Sequence, residues 1–164
     1  MDRTLFVLRR AVIVAIPAGI ITWIFANIYI GDTSILSLCA SFLDPLGKLI
    51  GLDGFILLAF ILGFPANEIV VPILIMSYMA TGKMIEFDQL SALGDLLRDN
   101  GWTYLTALNM MLFSLLHWPC ATALLTIKKE TSSVKWTALG FLIPTAIAFL
   151  VCFITTSVYS LFVG

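Results

Sequence analysis

The chain is 164 residues long, 60% of them hydrophobic, with a mean hydropathy of +1.05 and a formal net charge of −1. A soluble domain of this size lacks the interior to bury so many apolar side chains, so residues 1–164 read as a single integral membrane domain in a lipid bilayer. The charge balance excludes a nucleic-acid partner, and without a glycine-rich phosphate loop the chain is expected not to be a nucleotide-hydrolysing enzyme.

In chain order, residues 11–31 form an uncharged run flanked by Arg9, Arg10 and Asp32, the length of one membrane helix. The run is too long for a secretory signal, and no small-residue cleavage site follows it. Residues 33–50 are amphipathic and read as an interfacial helix, broken at Asp44-Pro45. Residues 54–82 are apolar except for Glu68, with Gly63, Pro65 and Pro72 around it, and read as a broken, re-entrant hairpin. Residues 83–100 hold six charged side chains among leucines, an amphipathic surface segment. Residues 100–127 carry no charge if His117 is neutral and read as a spanning helix broken at Pro119. Residues 128–135 read as a polar loop, and residues 136–163 as a last span with a kink at Pro144. Trp102, Trp136 and Tyr159 stand near span ends, where amphipathic rings favour the interface. The expected fold class is all-α and membrane-embedded: three spanning helices, one re-entrant helical hairpin and one or two interfacial helices.

Lysine and arginine set the orientation. The N-terminus has Arg3, Arg9 and Arg10, residues 32–53 have Lys48, residues 83–100 have Lys83 and Arg98, and residues 128–135 have Lys128, Lys129 and Lys135. The two ends of this series belong on the cytoplasmic side. Helices 11–31 and 100–127 already supply two crossings between them, so residues 54–82 must enter and leave by one side. Arms of roughly 13 residues, at about 1.5 Å each, reach only about 20 Å into a core of about 30 Å. The tip, Phe64-Pro65-Ala66-Asn67-Glu68, then lies near mid-membrane.

Two groups of residues can carry chemistry. At the hairpin tip, Pro65 and Pro72 in a helix free the carbonyls of Ile61 and Glu68; with the Asn67 amide and the Glu68 carboxylate they offer an oxygen-rich cation site. The alternative is that Glu68 bonds a nearby polar group and only pins the hairpin. The second group is His117-Trp118-Pro119-Cys120. His117 and Cys120 are three apart, on one face of a helix, and Pro119 frees the Leu115 carbonyl. Imidazole, thiol and loose carbonyls suit a borderline transition metal. Thr122 and Asn109 are expected as supporting partners. Taken singly, the histidine reads equally as an interhelical hydrogen-bonding residue and the cysteine as a small buried hydrophobe. Cys39, Cys120 and Cys152 lie far apart and provide neither a disulfide framework nor a zinc spacing; Cys39 and Cys152 read as packing.

The stretches GFPANEIVVP (63–72), HWPCATALLTIKKETSSVKWT (117–137) and ANIYIGDTSILSLCASFLDPLGKLIGLDGFILLAF (26–60) resemble the C-terminal membrane half of the ferrous-iron transport protein B family. That resemblance covers nearly the whole chain and implies the second of two "Gate", or nucleoside-recognition, repeats. It implies ferrous iron as the transported substrate, with no permanently bound cofactor, and an iron path through Glu68 and Cys120. His117 belongs to the HWPC form, and many members have lysine where Asn67 stands, so both carry less of the implication. It further implies a bacterial cytoplasmic membrane, half of an inverted-repeat transporter, and a partner bearing the GTPase and first Gate repeat, or an oligomer. Those two regions are not in this chain, hence no enzyme. The order of elements also looks similar to one repeat of concentrative nucleoside transporters. Two other functions stand beside iron: a stand-alone Gate-domain protein for membrane assembly or regulation, and transport of a small organic solute.

Overall fold

The computed structural model describes residues 33–79 and 90–163 without interruption, and part of the stretch 9–30. The expected helix 11–31 therefore lies largely outside the described residues, as does the first part of the 83–100 segment. Apart from a two-residue antiparallel pairing of Tyr29–Ile30 with Thr33–Ser34, the described regular structure is helical.

Helix α1 spans Ile35–Leu49 and is capped by Ser34, whose hydroxyl accepts the Ser37 N–H at 3.2 Å. It runs through Pro45, so the break expected at Asp44-Pro45 does not occur. A proline there removes one hydrogen bond, to the Ser41 carbonyl. Tertiary ties compensate: Asp44 pairs with Lys48 and accepts the Gly54 N–H at 3.3 Å. The chain turns instead at residues 50–53, and α1 meets the next helix at 110°. Gly51 makes that corner with φ +66°; a Cβ there would lie 2.4 Å from the Asn109 amide nitrogen and 2.5 Å from the Thr156 hydroxyl.

Helix α2, Gly54–Leu62, begins at Asp53, whose carboxylate accepts the Ile56 N–H at 2.7 Å. It is apolar all round and buried over most of its length, as such a helix must be. Gly54 lets it press on α1, since a Cβ there would sit 1.9 Å from the Ala40 carbonyl oxygen. After the turn at residues 63–66 and one 3₁₀ turn, Asn67–Ile69, helix α3 (Val70–Met79) returns along α2. The base of this hairpin is closed by the Phe55 and Tyr78 rings, 5.6 Å apart. There the Tyr78 hydroxyl donates to Asp53 and accepts the Trp102 indole N–H at 2.8 Å.

Helix α4, Leu90–Asp99, is the described part of the amphipathic segment. Helix α5, Tyr104–Leu116, and helix α6, Ala121–Thr131, are separated by residues 117–120. Helix α6 takes in Lys128 and Lys129, so the loop expected at 128–135 shrinks to Ser132 and Ser133. Cations in the last turn complement the negative helix end, and Ser132 closes it at φ 49°. Helix α7, Val134–Val163, is continuous through Pro144. Among the described residues, the stretches Tyr104–Thr131 and Val134–Phe162 are long and apolar enough to cross a membrane.

One core joins the hairpin to the last helices. Ile56, Phe60, Ile73 and Leu74 meet Phe113 of α5 and Ala148 and Cys152 of α7. The other faces of α7, with Leu142, Leu150 and Phe153, stay exposed, as a lipid-facing helix would leave them. Fully buried Asn109 ties three elements together: its amide donates to the Ile50 carbonyl and to the Thr156 hydroxyl, both at 2.9 Å. Asn109 therefore serves the α1–α2 corner, not the His117–Cys120 break where the sequence pattern placed it.

This knot generates the first expectation. Asn109→Ala leaves the Ile50 carbonyl without its amide donor and should cost about 1–3 kcal/mol of stability. Gly51→Ala adds a strained backbone to a collision and should cost at least about 1 kcal/mol. Both are read from unfolding of the detergent-solubilised chain; wild-type midpoints for both would show that the corner is slack.

Candidate functional site

Pro119 decides the local structure at the α5–α6 break. It has no N–H to offer the Leu115 carbonyl, and it pushes Trp118 towards extended backbone. The last helical bond of α5 runs from the His117 N–H to the Phe113 carbonyl at 2.8 Å; His117 then turns extended, with ψ −179°. Cys120 is the residue before α6 and its side chain makes no capping bond.

The hairpin tip docks onto this break. The Ala121 N–H, a free donor at the start of α6, donates to the Phe64 carbonyl at 2.9 Å. Rings seal the contact: Trp118 stacks on Phe141 with centroids 5.7 Å apart, and Phe64 meets Phe141 edge-on at 6.2 Å. The two proline-broken segments thus meet, with α7 behind them.

The structure separates some of the residues that the sequence pattern grouped. His117 and Cys120 do not share a helical face, because both stand in the unwound stretch. His117 is buried among Phe60, Phe113 and Trp118, with ring centroids at 4.8, 5.8 and 5.5 Å. Its Nδ1 lies 2.9 Å from the Ser114 carbonyl, while its Nε2 has no partner. Cys120 is half-buried, its sulfur 3.1 Å from the hydroxyl of Thr122, the partner anticipated for it. Pro65 lies in the turn, not in a helix, so the Ile61 carbonyl is not freed: it accepts the Phe64 N–H at 3.3 Å. Pro72 sits in the first turn of α3, where proline is tolerated.

Asn67 and Glu68 occupy the 3₁₀ turn at the tip, both exposed. Asn67 shares a cavity of about 480 Å³ with Leu115, His117, Pro119 and Pro144. Among the described residues, no three His, Cys, Asp or Glu side chains cluster closely enough to hold a metal ion together. Glu68, Cys120 and His117 are therefore not a ready-made ligand set in this conformation. The Phe64 carbonyl and Trp118 are the residues that sequence reasoning passed over. A backbone acceptor leaves no compositional trace, whereas Trp118 between a histidine and a proline could have been read as the wall of the break.

Residues 8–134 match the Gate family, described as nucleoside recognition. The chain is 32% identical over 124 residues to the Fe(2+) transporter FeoB of Leptospira interrogans, an alignment covering 74% of this chain and 18% of that protein. It is 42% identical over 64 residues to the Fe(2+) transporter FeoB of Staphylococcus aureus, covering 39% and 10%. With the Fe(2+) transporter FeoB of Leptospira biflexa it shares 28% identity over 130 residues, covering 75% and 18%. No solved structure matches. The chain thus spans less than a fifth of the length of these curated relatives. Broken apolar helices meeting tip to break are the architecture that accompanies this match, and the chain belongs to the Gate family, as a relative of the Gate region of Fe(2+) transporters.

Proposed function

We propose that this chain forms part of a path for ferrous iron across a bacterial cytoplasmic membrane, working within a larger GTPase-coupled transporter. The observation that carries the reading is the docking of the hairpin tip on the α5–α6 break through Ala121 and Phe64. Interrupted helices that bring polar groups together inside an apolar protein are how membrane transporters build ion sites. The relatives named as Fe(2+) transporters supply the ion.

Glu68 and Cys120 take the leading roles in this reading. A carboxylate offers iron a hard charged oxygen and a thiol offers a softer ligand. Glu68 is exposed at the tip, and a charge near mid-membrane needs cover by protein or by a water-filled cavity. The cover is the rest of the transporter, the first Gate repeat with the GTPase, related to this one as half of an inverted repeat. Asn67 and His117 are secondary ligands from the same two breaks.

In the assembled transporter, Glu68→Gln and Cys120→Ser should each lower ferrous-iron uptake at least about tenfold, with expression and GTP hydrolysis retained. Cys152→Ser, remote in the α5–α7 core, should stay close to wild type. Wild-type uptake in both path variants would make the breaks structural and favour a Gate-domain assembly or regulatory protein, or an organic solute.

The orientation is testable separately. Lysines 128, 129 and 135 hold the α6–α7 connection inside the cell, which leaves α4 outside and makes the hairpin re-entrant from that side. In a cysteine-free variant, a cysteine at Ser91 should react with an impermeant thiol reagent in intact cells and a cysteine at Ser132 should not. Labelling of both from outside would remove the re-entrant topology.

A further inference from the structure

His117 is 7% exposed, and its two ring nitrogens meet different surroundings. Nδ1 faces the Ser114 carbonyl at 2.9 Å. A carbonyl only accepts, so Nδ1 carries the proton and Nε2 of the neutral ring presents its lone pair. That lone pair has no hydrogen-bond donor to meet. Trp118, the next residue, is 8% exposed and its indole N–H is likewise buried without an acceptor. Buried polar atoms are nearly always paired, so two unpaired ones in adjacent side chains require an explanation.

The surroundings supply one. His117 and Trp118 line the same cavity of about 480 Å³ as Asn67 and Leu115. Leu115 and Asn67 both line it; Pro119 has no N–H to offer the Leu115 carbonyl, and Asn67 carries an amide oxygen. One imidazole nitrogen, two neutral oxygens and room for water make a mixed nitrogen–oxygen donor set. Magnesium and calcium favour oxygen alone, while borderline divalent transition ions accept imidazole. The Ser114 carbonyl plays the part of the outer-shell acceptor that fixes the tautomer of a metal-binding histidine.

We propose that His117 Nε2 is a latent ligand for a borderline divalent transition ion in the cavity between the hairpin tip and the α5–α6 break. In this conformation the rings of Phe60, Phe113 and Trp118 close over it. Trp118 is the wall that has to move, and its own unpaired N–H gains a water or carbonyl when it does. The inference rests on the cation-path reading above and adds to it a selectivity step, which discriminates transition ions from magnesium and calcium.

His117 is the sole histidine of the chain, so ¹⁵N-histidine labelling reports on it alone. The full chain in lipid nanodiscs is titrated with Zn²⁺ as a diamagnetic probe, with Mg²⁺ in parallel. Before metal, the spectrum should show Nδ1 protonated and Nε2 bare. Zn²⁺ should move the Nε2 resonance and Mg²⁺, at a hundredfold excess, should not. His117→Asn keeps an amide at the Nδ1 position for the Ser114 carbonyl but cannot reach the Nε2 position. It should therefore stay folded and bind Zn²⁺ at least about tenfold more weakly. An Nε2-protonated ring, or an Nε2 resonance that Zn²⁺ leaves in place, overturns the proposal; the wild-type spectrum decides this even if the variant fails to fold. If Nε2 is inert to Zn²⁺ while Glu68→Gln and Cys120→Ser still lose iron uptake, the latent ligand alone is wrong and the iron path stands. If Nε2 takes the metal but those variants transport normally, the latent site stands and the path assignment falls.

Discussion

A backbone donor or acceptor removed from water has to find a partner inside the protein. Breaking an apolar helix creates such groups in the least forgiving place. Among the described residues two such breaks serve each other: the amide that α6 leaves unpaired at Ala121 meets the carbonyl that the hairpin leaves unpaired at Phe64. Everything around that bond follows from making the approach. Gly63 gives the hairpin its tight end, because a Cβ there would lie 2.5 Å from the Val70 side chain. Phe64, Trp118 and Phe141 then exclude solvent from the junction.

The same logic governs the opposite end of the hairpin. The corner between α1 and α2 is an irregular turn beside an apolar core, and its Ile50 carbonyl is answered by a side chain, Asn109, 59 residues later in the sequence. Glycines permit the contact at both positions where a side chain could not fit, Gly51 against Asn109 and Thr156, and Gly54 against Ala40. Asp53 contributes to two systems at once, capping α2 and receiving the Tyr78 hydroxyl.

Local chemistry was readable wherever one residue type leaves a single option. Pro119 without its N–H unwinds the helix around it, and the structure unwinds there. The apolar run with Gly63 and Pro65 at its centre reads as two arms, and α2 and α3 are two arms. What escaped depended on distant partners. Asp44-Pro45 looked like a break because the ties to Lys48 and Gly54 are invisible to a local pattern. Asn109 looked like a neighbour of His117 because it lies two turns away on the same helix, whereas its side chain points to Ile50 and Thr156. The ring environment of His117 could not be foreseen for a similar reason. Phe60 comes from the hairpin, and only the docking of tip on break brings it there.

The hairpin is fastened unequally along its length. Its base holds a chain of side-chain bonds through Asp53, Tyr78 and Trp102 and stands beside the Asn109 knot, which is anchored on the long unbroken α7. Its tip holds one backbone bond, worth about 1 kcal/mol, and a few ring contacts. Mechanically this is a cantilever: clamped at one end, lightly latched at the other, with α7 as the rigid post. Of the two ends, the tip has the fewer hydrogen bonds to lose, so parting it from the break costs less than disturbing the corner.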